Sequence, residues 1–214
     1  MKFTEQLWQT DTRHALAMFD FVKKRLSRRK TYLLAVQGYR RRWPASADRP
    51  ELEVAERYVD GTCEEAEFVE ARRVVYSAVT AGEVGSPAHQ LTQLFNFNLR
   101  DGAQTLAWYM VRDHPAGCDL VREIAGNPFR PWKSIPEAMG GGLVQPDGAT
   151  VFPSAAAHAI AAGVAADQAF DRLPVLADAL EDSGVTDAEL LAHCRRPGGH
   201  LRGCWAVDVV LGKS

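Results

Sequence analysis

The sequence predicts an all-α protein, with a multi-helix, bundle-like N-terminal lobe and a smaller helical C-terminal lobe joined by a Pro/Gly-rich connector. Three observations predict it. Apolar residues recur at three- and four-residue spacing along most of the chain, the mark of helices with one buried face. Strand signals are few, since β-branched pairs such as Val74-Val75 and Val209-Val210 sit inside helical patterns. Residues 126–153 hold five of the eleven prolines and five of the seventeen glycines, including Gly140-Gly141-Gly142, a density that no long helix tolerates. The expected organisation is a helical lobe over 1–126, a connector over 127–153 and a second lobe over 154–214. One continuous domain is the other arrangement this pattern allows.

In chain order, Ala15, Leu16, Met18, Phe19, Val22 and Leu26 form the first buried helical stripe, after a polar start (MKFTEQLWQTDTR). Tyr32, Val36, Tyr39 and Trp43 repeat it, and Pro44 should end that helix. A third helix is expected over Glu51–Tyr58, stopped at Asp60-Gly61. Thr62 with Glu65 reads as a capping box for a fourth, which buries Phe68, Ala71, Val75 and Ala78. Between Pro87 and Ala125 two or three helices are expected. Leu91, Leu94, Phe95 and Leu99 supply one face, and Leu106, Tyr109, Met110 and Val111 another. Asp101-Gly102 and His114-Pro115 are the expected breaks. A short helix through Cys118, Val121 and Ile124 should close on Gly126. Beyond the connector, helices are expected over Ser154–Ala166 and Leu173–Leu180, then after a second capping box (Thr186 with Glu189), and finally over Cys204–Leu211.

Composition narrows the function classes. The 214 residues are 46% hydrophobic and 24% charged, with 25 Lys+Arg against 27 Asp+Glu, which suits a chain with a real core and excludes disordered, collagen-like and disulfide-dense classes. A formal charge of −2 exerts no overall pull on nucleic acid or anionic membrane. The longest apolar run, around Ala155–Ala166, is too short to span a bilayer, and the N-terminus lacks the apolar core of a signal peptide. A cytoplasmic location with no membrane partner is the resulting expectation.

Three stretches could carry chemistry. The first is a segregation of charge. Residues 23–42 hold nine basic side chains (Lys23, Lys24, Arg25, Arg28, Arg29, Lys30, Arg40, Arg41, Arg42) and no acid, whereas residues 51–70 hold eight acids and Arg57. Such a patch could bind phosphates with salt-sensitive affinity; the alternative is that consecutive helices pair their charges across a solvated surface.

The second stretch is HCRRPGGHLRGCW, residues 193–205. His193, Cys194, His200 and Cys204 offer the imidazoles and thiolates that zinc prefers, and Pro197-Gly198-Gly199 could fold the two halves together. His193 and Cys194 are adjacent, so on a helix their side chains diverge. The expected ligands are therefore Cys194, His200 and Cys204, completed by His193, Cys63 or Cys118. Free cysteines buried as core residues are the other reading.

The third stretch is GNPFRPW, where Phe129, Arg130 and Trp132 are interface-anchoring side-chain types. They could equally pin the connector to the core, with Arg130 paired to a carboxylate or carbonyl. Catalytic patterns are weak: the chain has no G-x-S-x-G, P-loop, G-x-G-x-x-G, H-E-x-x-H or C-x-x-C. Ser154 and His158 lie one helical turn apart with no evident orienting acid, and His14, His89 and His114 are scattered.

Four segments carry a resemblance: EVAERYVDG (53–61), GNPFRP (126–131), AFDRLPVLADALEDSG (169–184) and HCRRPGGHLRGCWAVDVVLGK (193–213). Together they make the chain resemble a planctomycete-type bacterial protein family with no described activity. VLADALEDSG also resembles the A-D-x-L-E-x-x-G core of short repeats in multidomain proteins of the same bacteria. The resemblance implies a bacterial, intracellular, mainly helical protein. Two departures stand out: family members often carry several cysteines where this chain reads Ala35-Val36-Gln37-Gly38-Tyr39, and the stretch from Arg130 to Phe170 is longer and richer in glycine here. The functional expectation is a non-catalytic protein-interaction or adaptor module whose partner is another protein. The alternatives are zinc binding by the C-terminal Cys/His cluster and nucleic-acid binding through residues 23–42.

Overall fold

Helical periodicity is realised nearly element by element in a computed structural model that describes residues 3–46, 49–79, 85–96, 99–112, 116–135 and 141–213, with the backbone alone at 99 and 100. Those residues contain twelve α-helices and one small antiparallel sheet. The expected break at His114-Pro115, the side chain of Leu99 and Gly140 lie outside the described set. Among the described residues, no helix is long and apolar enough to cross a membrane. The chain divides into two compact units, Met1–Arg122 and Glu123–Ser214.

The first unit is organised around α3 (Arg28–Arg42), in which every residue from Lys30 to Tyr39 is buried. A helix covered on all sides must lie at the centre of its unit. Before it come α1 (Glu5–Thr10) and α2 (Ala15–Val22). The N-terminus is less polar in space than in sequence, because Thr4 caps α1 and Phe3 and Trp8 are buried. After it come α4 (Pro50–Val59), α5 (Glu65–Ser77), α6 (Pro87–Leu91), α7 (Leu99–Arg112) and the first part of α8 (Gly117–Ala125), whose residues from Glu123 on belong to the second unit. Tyr32 and Tyr39 donate their hydroxyls to the carbonyls of Leu94 (2.6 Å) and Pro87 (3.1 Å), so the buried rings cost no unpaired polar atom.

Two expectations in this unit are corrected. Asp101-Gly102 does not break a helix: α7 runs through it, and a Cβ on Gly102 would overlap the Gln93 carbonyl oxygen. The glycine serves close approach, not a turn. The N-cap of α5 is Glu64, and the Thr62 hydroxyl instead donates to the Arg57 carbonyl, 3.2 Å away.

In the second unit, the stretch expected as a connector carries structure. Strands β1 (Lys133–Ser134), β2 (Leu143–Val144) and β3 (Thr150–Val151) pair antiparallel in the order β1-β2-β3. Leu143 and Val151 enter the same core as α9 (Ala155–Asp167), α10 (Leu173–Asp182), α11 (Ala188–Arg195) and α12 (Trp205–Val210). Alternation is too short in two-residue strands to show in the sequence. On α9, Ala157, Ala161 and Val164 are fully buried, a small-residue stripe that lets neighbouring elements approach closely. The expected Thr186 cap of α11 is displaced by one residue: Asp187 Oδ1 accepts from the Leu190 N–H at 2.9 Å. The Thr186 and Asp187 N–H groups both donate to the buried Gln145 Oε1, at 2.9 and 3.1 Å.

Candidate metal centre

Four potential ligands converge in the second unit from three places in the chain. Glu123 stands near the end of α8 and His193 on the last turn of α11. His200 lies in the loop between α11 and α12, and Cys204 is the N-cap residue of α12. The loop reverses through Gly198 and Gly199, both at positive φ (72° and 77°), backbone that a β-carbon disfavours. That reversal returns His200 to the end of α11, where its Nε2 lies 3.0 Å from the Arg196 carbonyl.

One ligand atom from each of the four residues can be chosen so that all lie within 4.8 Å of one another. His200 Nδ1 is 3.2 Å from Glu123 Oε1. His193 Nε2 is 3.1 Å from Cys204 Sγ and 3.6 Å from Glu123 Oε2. Arg196 Nη2 donates to Glu123 Oε2 at 2.8 Å, and the indole N–H of Trp205 donates to His193 Nδ1 at 3.2 Å. Glu123 and Cys204 are 2% and 1% exposed. Burial alone would push the Glu123 carboxyl up, but the hydrogen bond from His200, the charges of His193 and His200 and the Cys204 thiol together hold it below its ordinary value. The Cys204 thiol is raised well above its ordinary value, first by burial and then by the Glu123 charge.

Of the ligands expected from the sequence, His193, His200 and Cys204 come together and Cys194 does not. Cys194 is fully buried in the apolar core of the unit, and burial, with the Glu123 charge, pushes its thiol up to about 12. Successive helical residues point about 100° apart, so α11 cannot aim His193 and Cys194 at one point. Cys63 and Cys118 belong to the first unit. Glu123 was not foreseen. Its signal is a carboxylate three residues after Leu120 and next to Ile124, both fully buried: an acid at apolar-face spacing needs a partner.

The GNPFRPW stretch is held by contacts within the second unit. Arg130 Nη2 pairs with Asp187 Oδ2 at 2.7 Å, and Asn127 Nδ2 donates to Glu189 Oε2 at 2.9 Å. GNPFRP is thus pinned to the start of α11. Gly126, at φ 69°, closes α8 as expected, and a Cβ there would stand 3.1 Å from the Trp205 ring. Trp132 packs half-buried against the core, and Phe129 is 36% exposed.

Several residues of the basic segment meet acids or rings. Lys23 pairs with Asp20, Arg29 with Asp60 (2.5 Å) and Arg40 with Glu56 (3.5 Å). Arg25 lies over Phe21, Arg28 over Tyr32 and Tyr58, and Lys30 is buried. Arg42 also has interactions of its own, while Lys24 and Arg41 sit on the same stretch of chain. No protein-family model, no curated protein and no solved structure matches the chain.

Proposed function

We propose that the second unit binds a borderline transition-metal ion of the zinc class at the Glu123, His193, His200, Cys204 centre. One observation carries this reading. The Arg196 carbonyl can only accept, so the proton of a neutral His200 sits on Nε2 and its Nδ1 presents a lone pair. That lone pair faces Glu123 Oε1, another acceptor, across 3.2 Å. The two acceptors need an electrophile between them, either a shared proton or a metal ion. Thiol, imidazole and carboxylate form a donor set of zinc type. Metal–ligand bonds of about 2.0–2.3 Å place neighbouring ligands of a tetrahedral ion about 3.3–3.8 Å apart; Glu123 Oε1 and His200 Nδ1 stand 3.2 Å apart and the four groups can bring one atom each within 4.8 Å of one another. The hydrogen bond that His200 Nε2–H donates to the Arg196 carbonyl and the one that Arg196 Nη2 donates to Glu123 Oε2 are outer contacts of the kind that fix ligand orientation at metal sites.

Metal binding takes precedence over the expected adaptor and nucleic-acid roles. Arg29–Asp60 and Arg40–Glu56 turn the segregated charges toward one another, which supports pairing of the two segments with each other, with both acids largely buried and not on a solvated surface.

The test is elemental analysis of protein purified without a metal-affinity tag, with thermal melting in the presence and absence of chelator. About one ion per chain and a melt lowered by chelator are expected. Cys204→Ser and His200→Ala should abolish the ion, whereas Cys194→Ala should keep it. No ion in zinc-supplemented protein, with an unchanged melt, would overturn the metal reading and leave the centre as a hydrogen-bonded network that shares a proton between His200 and Glu123.

A further inference from the structure

The two histidines of the centre differ in which nitrogen is engaged from behind. His200 is held through Nε2, by a carbonyl that only accepts. His193 is held through Nδ1, 3.2 Å from the indole N–H of Trp205, a group that only donates. A donor aimed at Nδ1 requires a lone pair there, so the proton of the neutral His193 ring sits on Nε2. A protonated ring nitrogen cannot ligate a metal.

Building on the metal-binding reading, we infer that the ion is held by three protein ligands, Glu123 Oε1, His200 Nδ1 and Cys204 Sγ, and that His193 is a positioning residue. Its Nε2–H, 3.1 Å from Cys204 Sγ, donates to the metal-bound sulfur, while Trp205 fixes the ring. Among the described residues, three ligands leave the fourth position of a four-coordinate ion to an external donor. That is the coordination count of open zinc sites, in contrast to closed structural sites with four protein ligands. The burial of Glu123, Cys204 and the His200 side chain limits the external ligand to a small monodentate donor: water, exchangeable with a small anion.

The deciding measurement is a long-range 1H–15N correlation spectrum of the zinc-loaded full chain, which reports the state of each ring nitrogen. The expected pattern places a proton on Nε2 of both histidines, zinc on His200 Nδ1, and neither proton nor zinc on His193 Nδ1. Cobalt-loaded protein supplies a second readout. Azide should shift its visible absorption, and His193→Gln should keep the thiolate-to-cobalt band while weakening binding by about 10–100-fold, as for outer partners of metal ligands. Zinc on His193 Nε2, an azide-insensitive spectrum, or loss of the band in His193→Gln would each overturn the three-ligand assignment while leaving metal binding intact. Failure of the parent protein to take up either zinc or cobalt would overturn both.

Discussion

Replacing Glu123 by glutamine keeps the size of the side chain and removes its charge, so it isolates what the carboxylate does. In the parent, Oε1 faces His200 Nδ1 at 3.2 Å, while Oε2 accepts from Arg196 at 2.8 Å and lies 3.6 Å from His193 Nε2. An amide can present an oxygen on only one side. With its oxygen toward His200, its NH2 meets the donors of Arg196 and His193. Arg196 is half exposed and can turn to water, a loss under about 1 kcal/mol. The His193 Nε2–H keeps Cys204 Sγ, 3.1 Å away, and loses only a carboxylate charge 3.6 Å off, a loss under about 1 kcal/mol. Exchanging a charged acceptor for a neutral one opposite His200 weakens that bond by about 1 kcal/mol. The sum is about 2 kcal/mol in metal-free protein, which for a chain of this length lowers the melting temperature by about 4–8 °C. The assay is a scanning-calorimetry melt of chelator-treated parent and Glu123→Gln, paired with zinc competition against a chromophoric chelator. Zinc affinity should fall by more than about 100-fold, beyond the loss typical of outer partners. A Glu123→Gln protein that melts within about 1 °C of the parent and keeps its zinc affinity would refute the reasoning for both the network and the ion.

Gln145→Leu should destabilise the second unit by about 2–4 kcal/mol in urea unfolding, because the Thr186 and Asp187 N–H groups lose their shared acceptor; a loss below about 1 kcal/mol would show that water replaces it. Gly38→Ala tests a sign. Helix propensity alone predicts a gain of about 1 kcal/mol, yet a Cβ there would overlap Met110 Cβ and stand 3.3 Å from Leu120 Cδ2, so net destabilisation of about 1–2 kcal/mol is expected, read as a lower denaturation midpoint. Asp11 gives a pH dependence. Burial pushes its carboxyl up, but the N–H groups of Arg13 and His14 and the His14 ring more than offset this and hold it below its ordinary 3.8. Its folded-state value being the lower one, Asp11 contributes stability above about pH 4 that is lost as the pH falls through the folded value. Acid titration of stability should therefore be shallower in Asp11→Asn, and identical slopes would contradict it.

The order and nature of most elements were legible before any coordinates. Pro44 ends α3 at Arg42, Gly126 closes α8, and the apolar stripes on α2 and α10, with Phe68, Ala71 and Val75 on α5, are buried as their spacing requires. Ala78, expected in the α5 stripe, is instead exposed at that helix's C-cap because the chain turns there. These are local matters, decided by side chains three or four positions apart and by residues that cannot continue a helix. His193, His200 and Cys204 were legible for the same reason, since one glycine-rich loop suffices to bring them together. The cap of α11, expected at Thr186, falls on Asp187 in the packed structure, where Gln145 takes the Thr186 N–H and Arg130 steadies Asp187.

Tertiary structure alone decided the fourth member of the centre and the exclusion of Cys194. Glu123 lies 77 residues before His200, and no periodicity links positions so distant. Which face α11 turns inward depends on the total burial of Leu190, Leu191 and Cys194 against the rest of the core. That choice sends Cys194 into hydrocarbon and leaves His193 facing the carboxylate. Ligand-type residues can be counted in a sequence, but whether their donor atoms meet is fixed by helix rotation about the core, a property of the whole packed unit.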